Sequence, residues 1–219
     1  MDVQGIIAPA VVAALVSGGV SIGAAIINNR YARSMHHERL NADADLAEKK
    51  YRYERALADW KRKTDVAEEV LAGFYKARAI FSSARHPLSR GDEGASRKRV
   101  DGEAPEQTSR RNAVFAPLER LNKEVNFLTE LTSIRYRFSA LFGAEGDKPF
   151  SEIISAYNEV QHATYALLDE SRSGSEQREL RLEEAIWGMG DDDKITKAIN
   201  NAVSTIENLC RPILLSQPE

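Results

Sequence analysis

The sequence predicts an all-α protein: an N-terminal transmembrane helix continuing into a long coiled-coil-like helix, then an antiparallel helical bundle. Three observations predict it. Residues Gly5 to Ile27 form an apolar run without a charge, closed by Asn28-Asn29-Arg30. Residues 24–72 contain neither glycine nor proline. Beyond them apolar residues recur at helical spacing, and outside the apolar run no alternating β-branched run or Asn-Gly turn marks a hairpin. Charged residues are 29% of the chain and aromatic ones 7%, a balance that suits long solvated helices better than sheets.

The first element is the apolar run, residues 5–27. As a helix it would be roughly 34 Å long, against a hydrocarbon core of about 30 Å. It holds ten Val, Leu or Ile residues, which together favour insertion by about 3–6 kcal/mol. Pro9 falls in the first turns, where a missing donor does little harm. A cleaved signal peptide would need a basic leader and a shorter apolar stretch, but Met-Asp-Val-Gln precedes a long run. A surface-lying helix would need a polar face, and a soluble core seldom surrounds a helix apolar on every side. Only Asp2 precedes the run, while Arg30, Arg33 and Arg39 follow it with His36 and His37. The positive-inside rule then places residues 1–4 outside and everything after Ile27 in the cytoplasm, as a single-pass protein of the inner (plasma) membrane. The lone cysteine, Cys210, suits a reducing compartment. Ala13, Ser17, Ser21 and Ala25 recur every four residues, beside the small-xxx-small pair Gly19 and Gly23. Such a stripe lets two helix backbones approach closely, so the lipid bilayer and a second copy of the chain are the expected partners. Small residues are also common in short spans without any such role.

Residues 28–52 read as a charged helical stalk, with Asp45 and Lys49, Glu48 and Arg52 at the i, i+4 spacing of helix-stabilising pairs. Residues 53–85 read as a bundle or coiled-coil helix. Tyr53, Leu57, Trp60, Leu71, Phe74 and Phe81 follow a four-three alternation with Thr64 and Ala67 between them, and Arg78 interrupts it. That stripe requires a cover, from an identical chain or from helices of its own chain. Residues 86–112, rich in Gly, Ser, Pro and both signs of charge, read as a flexible loop with almost nothing to bury. A bundle is expected over 113–215, with helices at about 113–142, 151–171, 176–187 and 192–211. Pro117 is placed in a first turn, Gly143 as a stop, Ser151 as an N-cap and Pro212 as an end.

Chemistry is sparse. Glu159 and His162 form one Glu-x-x-His pair, the half-motif of di-iron bundles, but no second copy exists and such single pairs arise by chance. His36 and His37 are adjacent and cannot share a helix face. Asp191, Asp192 and Asp193 read as a charged helix start rather than a Mg²⁺ site, because no Gly-rich phosphate loop accompanies them. Arg97-Lys98-Arg99 has acidic neighbours and reads as a solvated loop. Cys210, between Leu209 and Arg211, reads as a small core residue. The net charge of −3 argues against nucleic acid as a partner. No cofactor, metal or catalytic residue is expected, and the chain reads as a non-enzyme.

The stretch Ala67-Glu68-Glu69-Val70-Leu71-Ala72-Gly73-Phe74-Tyr75-Lys76-Ala77-Arg78, closing near Ala84-Arg85-His86-Pro87 and followed by Ala140-Leu141-Phe142-Gly143, resembles a pattern in bacterial single-span membrane proteins of no assigned activity. Those proteins share the layout of short span, charged juxtamembrane helix and helical C-terminal part. The resemblance implies an inner-membrane location and marks Glu68, Glu69, Tyr75, Arg78 and Arg85, for which helix packing is the plain explanation.

The function expected from these residues is a membrane-anchored helical interaction or scaffold module, self-associating, with an unidentified cytoplasmic protein as a further partner. The alternatives are a membrane-linked signalling or effector protein whose bundle senses a cytoplasmic signal, and a metal-dependent bundle enzyme built on Glu159 and His162.

Overall fold

The computed structural model describes residues 4–88, 91–169, 175–189 and 193–217, apart from the side chains of residues 4–11 and 13. Every element among the described residues is helical: α1 (Gln4–Ala84), α2 (Pro105–Lys123), α3 (Val125–Ser133), α4 (Arg135–Phe142), a 3-10 turn (Ala144–Gly146), α5 (Asp147–Leu168), α6 (Glu176–Trp187) and α7 (Lys194–Leu215). The chain divides into two compact units, residues 1–58 and residues 59–218.

The first unit is the N-terminal portion of α1. Its serines are accommodated because each hydroxyl donates to a carbonyl of the preceding turn, Ser17 to Ala14 O at 3.1 Å and Ser21 to Ser17 O at 2.9 Å. Val12, Leu15, Val16, Val20, Ile22, Ile26 and Ile27 are all exposed, Leu15 by 72% and Ile27 by 69%. The apolar run expected to cross a membrane starts at Gly5, so its beginning lies outside the described side chains. Among the described residues no helix is long and apolar enough to cross a membrane. Downstream, Arg52 is hydrogen-bonded to Glu48, and Lys50 Nζ lies 3.9 Å from Glu54 Oε1.

The second unit is a helical bundle whose core includes the C-terminal part of α1. Val66, Ala67, Val70, Phe74, Ala77, Phe81 and Ala84 are buried there with residues of α2 through α7. The side-chain spacing of three and four puts them on one face. Ala77 occupies the place at which the expected stripe broke, while Arg78 points to solvent with its guanidinium 5.3 Å from the Tyr75 ring centre. The phenyl groups fit edge-on: Phe74 meets Phe150 at 5.0 Å and Phe138 meets Phe150 at 5.8 Å, with Phe138 stacked on Phe142 at 4.3 Å. α5 packs on α7, α6 and α2.

Several boundaries differ from the sequence expectation. The single helix expected over 113–142 is three. It begins earlier, at Pro105, whose fixed φ suits a first turn, with Gln107 Oε1 accepting the Ala104 N–H at 3.4 Å. Pro117 therefore lies deep inside α2 and is buried there. The break at Ile134 follows Thr132 and Ser133, whose hydroxyls donate back to Leu128 O at 3.0 Å and Glu130 O at 2.7 Å; such bonds compete with the helical ladder and bend it. Gly143, at φ +92, ends α4 in a backbone state that side chains resist. α5 starts at Asp147 rather than at Ser151, because Pro149 fits a first turn whose N–H groups have no helical partner anyway. α7 runs on past Pro212 to Leu215, the proline being tolerated near an end. Of the expected breaks, residues 173–174 and 190 lie outside the described residues.

The segment expected as a flexible loop is partly packed. Gly94 is buried at φ +80, its N–H hydrogen-bonded to Glu119, and a Cβ there would lie 1.9 Å from Asn112 O. Gly94→Ala is therefore expected to lower the stability of the bundle by at least about 2 kcal/mol in urea titration followed by circular dichroism. Gly91→Ala, where nothing lies within 4 Å, should leave the midpoint unchanged.

Candidate functional site

A charge is buried at the C-terminal end of α1. α1 stops at Ala84, and the next residue, Arg85, is 2% exposed. Its guanidinium donates to Asp193 Oδ1 and Oδ2, each at 2.8 Å, to Glu184 O at 2.9 Å and to Thr196 Oγ1 at 3.2 Å, while Nε donates to Ala185 O at 2.8 Å. Two of those acceptors are carbonyls of the last turn of α6: Ala185 O, and Glu184 O, which also accepts from Gly188 N at 3.0 Å. Asp193 is also the N-cap of α7, accepting from Ile195 N at 3.2 Å. One arginine thus joins the ends of three helices.

Burial alone raises the Asp193 pKa, but the hydrogen bonds from Arg85 and Thr196 outweigh it, so the carboxyl sits below the usual carboxylate range. A carboxylate held low stabilises the fold above its unfolded pKa, and that contribution disappears as the pH falls through the folded value.

A second arginine closes the same region. Arg120, from α2, donates to Ala84 O at 3.1 Å, His86 O at 2.9 Å and Leu88 O at 2.7 Å, and pairs with Glu93. It neutralises the negative end of α1 and fixes the chain that leaves it. A third, Arg97, is buried with Glu103 and donates to Asn112 Oδ1 at 2.7 Å, with Arg111 Nε 3.0 Å from Glu103 Oε1. The bond from Arg97 pulls the Glu103 pKa down. The expected solvated basic cluster at 97–99 is thus corrected at Arg97, which is a buried tie.

A polar cleft of about 650 Å³ opens beside Arg120, lined among others by Lys76, His86, Lys123 and Glu124. Its cations are engaged: Lys76 Nζ sits 4.1 Å over the Phe127 ring and Lys123 lies 3.4 Å from Glu119. On another side Tyr75 donates its hydroxyl to Glu207 at 2.6 Å, which raises the tyrosine pKa. A shallow apolar groove of about 270 Å³ lies between α3 and α5, with Leu128, Ile153 and Tyr157 in its lining.

The residues singled out from sequence are dispersed. Phe74 and Phe81 are in the core, Leu71 packs on its edge, and Trp60 is half-buried with Nε1 3.3 Å from Ser216 Oγ. Tyr53 and Leu57 are exposed, by 53% and 37%. Ser17, Gly19, Ser21 and Ala25 lie on the open surface of α1, Gly23 has nothing within 4 Å of its Cβ position, and the Ala13 side chain lies outside the described ones. Of the marked residues, Arg85 is the buried one, Glu69 Oε2 lies 3.6 Å from Arg137, and Glu68 is exposed. Glu159 and His162 are both exposed on α5, and among the described residues no group of three or more His, Cys, Asp or Glu is placed to hold a metal ion. Asp191 and Asp192 lie outside the described residues. Cys210 is buried, and burial pushes its thiol up to about 11.

Sequence reasoning missed Arg85 as an anchor because its partners are about a hundred residues away; a lone arginine directly after an apolar stripe was the available signal. No family model, curated protein or solved structure matches this chain.

Two expectations follow from the Arg85 anchor. Arg85→Ala should destabilise the bundle by about 3–5 kcal/mol, the loss typical when one partner of a buried pair is removed. Asp193→Asn should flatten the acid limb of stability below about pH 4, where the unfolded chain takes up the proton while the wild-type folded carboxylate still resists it, as read by urea midpoints at stepped pH.

Proposed function

We propose that this chain is a membrane-anchored helical interaction or scaffold protein, self-associating, with no catalytic role of its own. One observation carries the reading. From Val12 to Ile27 the described large aliphatic side chains of α1 are all exposed along one side of the helix, and the rest of this stretch is Ala, Gly and Ser without a charge. Water is a poor solvent for such a surface, and a helix with no charged face is stable in a core or in lipid. Arg30, Arg33 and Arg39 follow directly, and Tyr31 among them is exposed, the residue types that hold a span at the cytoplasmic interface. The reading therefore takes residues 5–27 as a single span with its N-terminus outside and the bundle inside.

The described bundle supports a binding role over a catalytic one. Its most buried ionic groups, around Arg85, Arg97 and Arg120, are engaged with helix ends and with each other. A group spent on a helix terminus is a structural tie, whereas catalysis requires a nucleophile or acid held against a cavity. The partners proposed are the bilayer, a second copy and a cytoplasmic protein.

The test is fractionation with topology. The full-length chain is expected in the membrane pellet after alkaline carbonate washing, with a C-terminal tag digested by protease only after the membrane is opened on its cytoplasmic side. Release of the chain by carbonate, or a tag reachable from outside intact cells, would defeat the reading.

A further inference from the structure

We infer that residues 46–57 of α1 form a parallel, in-register seam with a second copy of the chain, and the orientation rests on the single-span reading above. Leu46, Tyr53 and Leu57 are 66%, 53% and 37% exposed. Their separations of seven and four place them on one side of the helix, with Lys50 between them. In heptad terms Leu46 and Tyr53 take one core position, and Lys50 and Leu57 the other. The ammonium of Lys50 lies 3.9 Å from Glu54 of its own chain, which draws the charge off the seam and leaves the methylenes on it. A lysine at a single core position is a known means of selecting register and strand number, at some cost in stability.

Charge complementarity selects the occupant. Lys49 and Glu54 hold the two positions that flank such a seam, five residues apart, so a parallel partner brings Lys49 of each chain to Glu54 of the other. An antiparallel pairing sets like flanking positions against each other instead. Two spans inserted in one direction can meet only in the parallel sense, so anchoring and charge agree.

Cysteines are placed singly at Leu46, Tyr53 and Leu57 in full-length Cys210→Ala protein, in membranes, and oxidised mildly. Glu48→Cys and Arg55→Cys, on the opposite side of the helix, are the controls. Disulfide-linked dimers should form several-fold faster at the three seam positions than at the controls. Lys49→Glu should weaken dimerisation by about tenfold, and adding Glu54→Lys should restore it. Membrane-inserted dimers that cross-link equally on both sides, or are insensitive to the charge swap, would overturn the seam and leave the proposed function standing. A chain monomeric in the membrane would overturn the seam and the self-association together. Seam cross-links in a chain that carbonate releases would uphold the seam and defeat the anchor. Cross-linking of the seam cysteines to a different protein, without homodimer, would overturn the second copy as occupant.

Discussion

An apolar helix face must be covered, and in this chain the face of α1 from Val66 to Ala84 is the one around which the second unit is organised. Its side chains alternate large and small, Val70 and Phe74 followed by Ala77, Phe81 and Ala84, all within 2% of complete burial. Phenyl rings from α4 and α5 fill the wide places, and the alanines permit close approach at the narrow ones. Helix propensity alone would leave such a segment marginal; packing of this face holds it in place.

The covered face then creates an electrostatic problem at its end. α1 terminates against the bundle, where its last carbonyls and the last carbonyls of α6 would be short of donors. Arg120 answers the first set and Arg85 the second, with Asp193 balancing the Arg85 charge while capping α7. Planar guanidinium groups suit this task because they hold several donors in fixed directions. The same logic explains the buried Arg97 with Glu103 and Asn112, which pins the segment leading into α2.

Much of the helical content was legible. Breaker-free runs, three-four spacing and the Gly143 stop are local signals, and periodicity carries them whatever the surroundings. The buried roles of Ile153, Val160, Ile199 and Ile206 could be read from spacing alone. Helix starts were less legible, because proline is permitted in any first turn. Pro117 looked like a start and is interior, while Pro105 and Pro149 sit near true starts. Segment 86–112 looked too polar to pack, yet Gly94 and Arg97 are buried, since a charge can be buried wherever a partner of opposite sign and enough acceptors are supplied.

The sequence by itself determined the helical class, the apolar run at the N-terminus with arginines behind it, and the faces along which the C-terminal helices pack. These follow from residue spacing and from charge placed along the chain, which are one-dimensional properties. Only the tertiary structure decided which part of the α1 stripe is covered by its own chain, with Phe74 and Phe81 buried but Tyr53 and Leu57 exposed. It alone joined Arg85 to Asp193, because a hydrogen bond between residues so far apart depends on how helices meet, and that geometry leaves no periodic mark in the sequence.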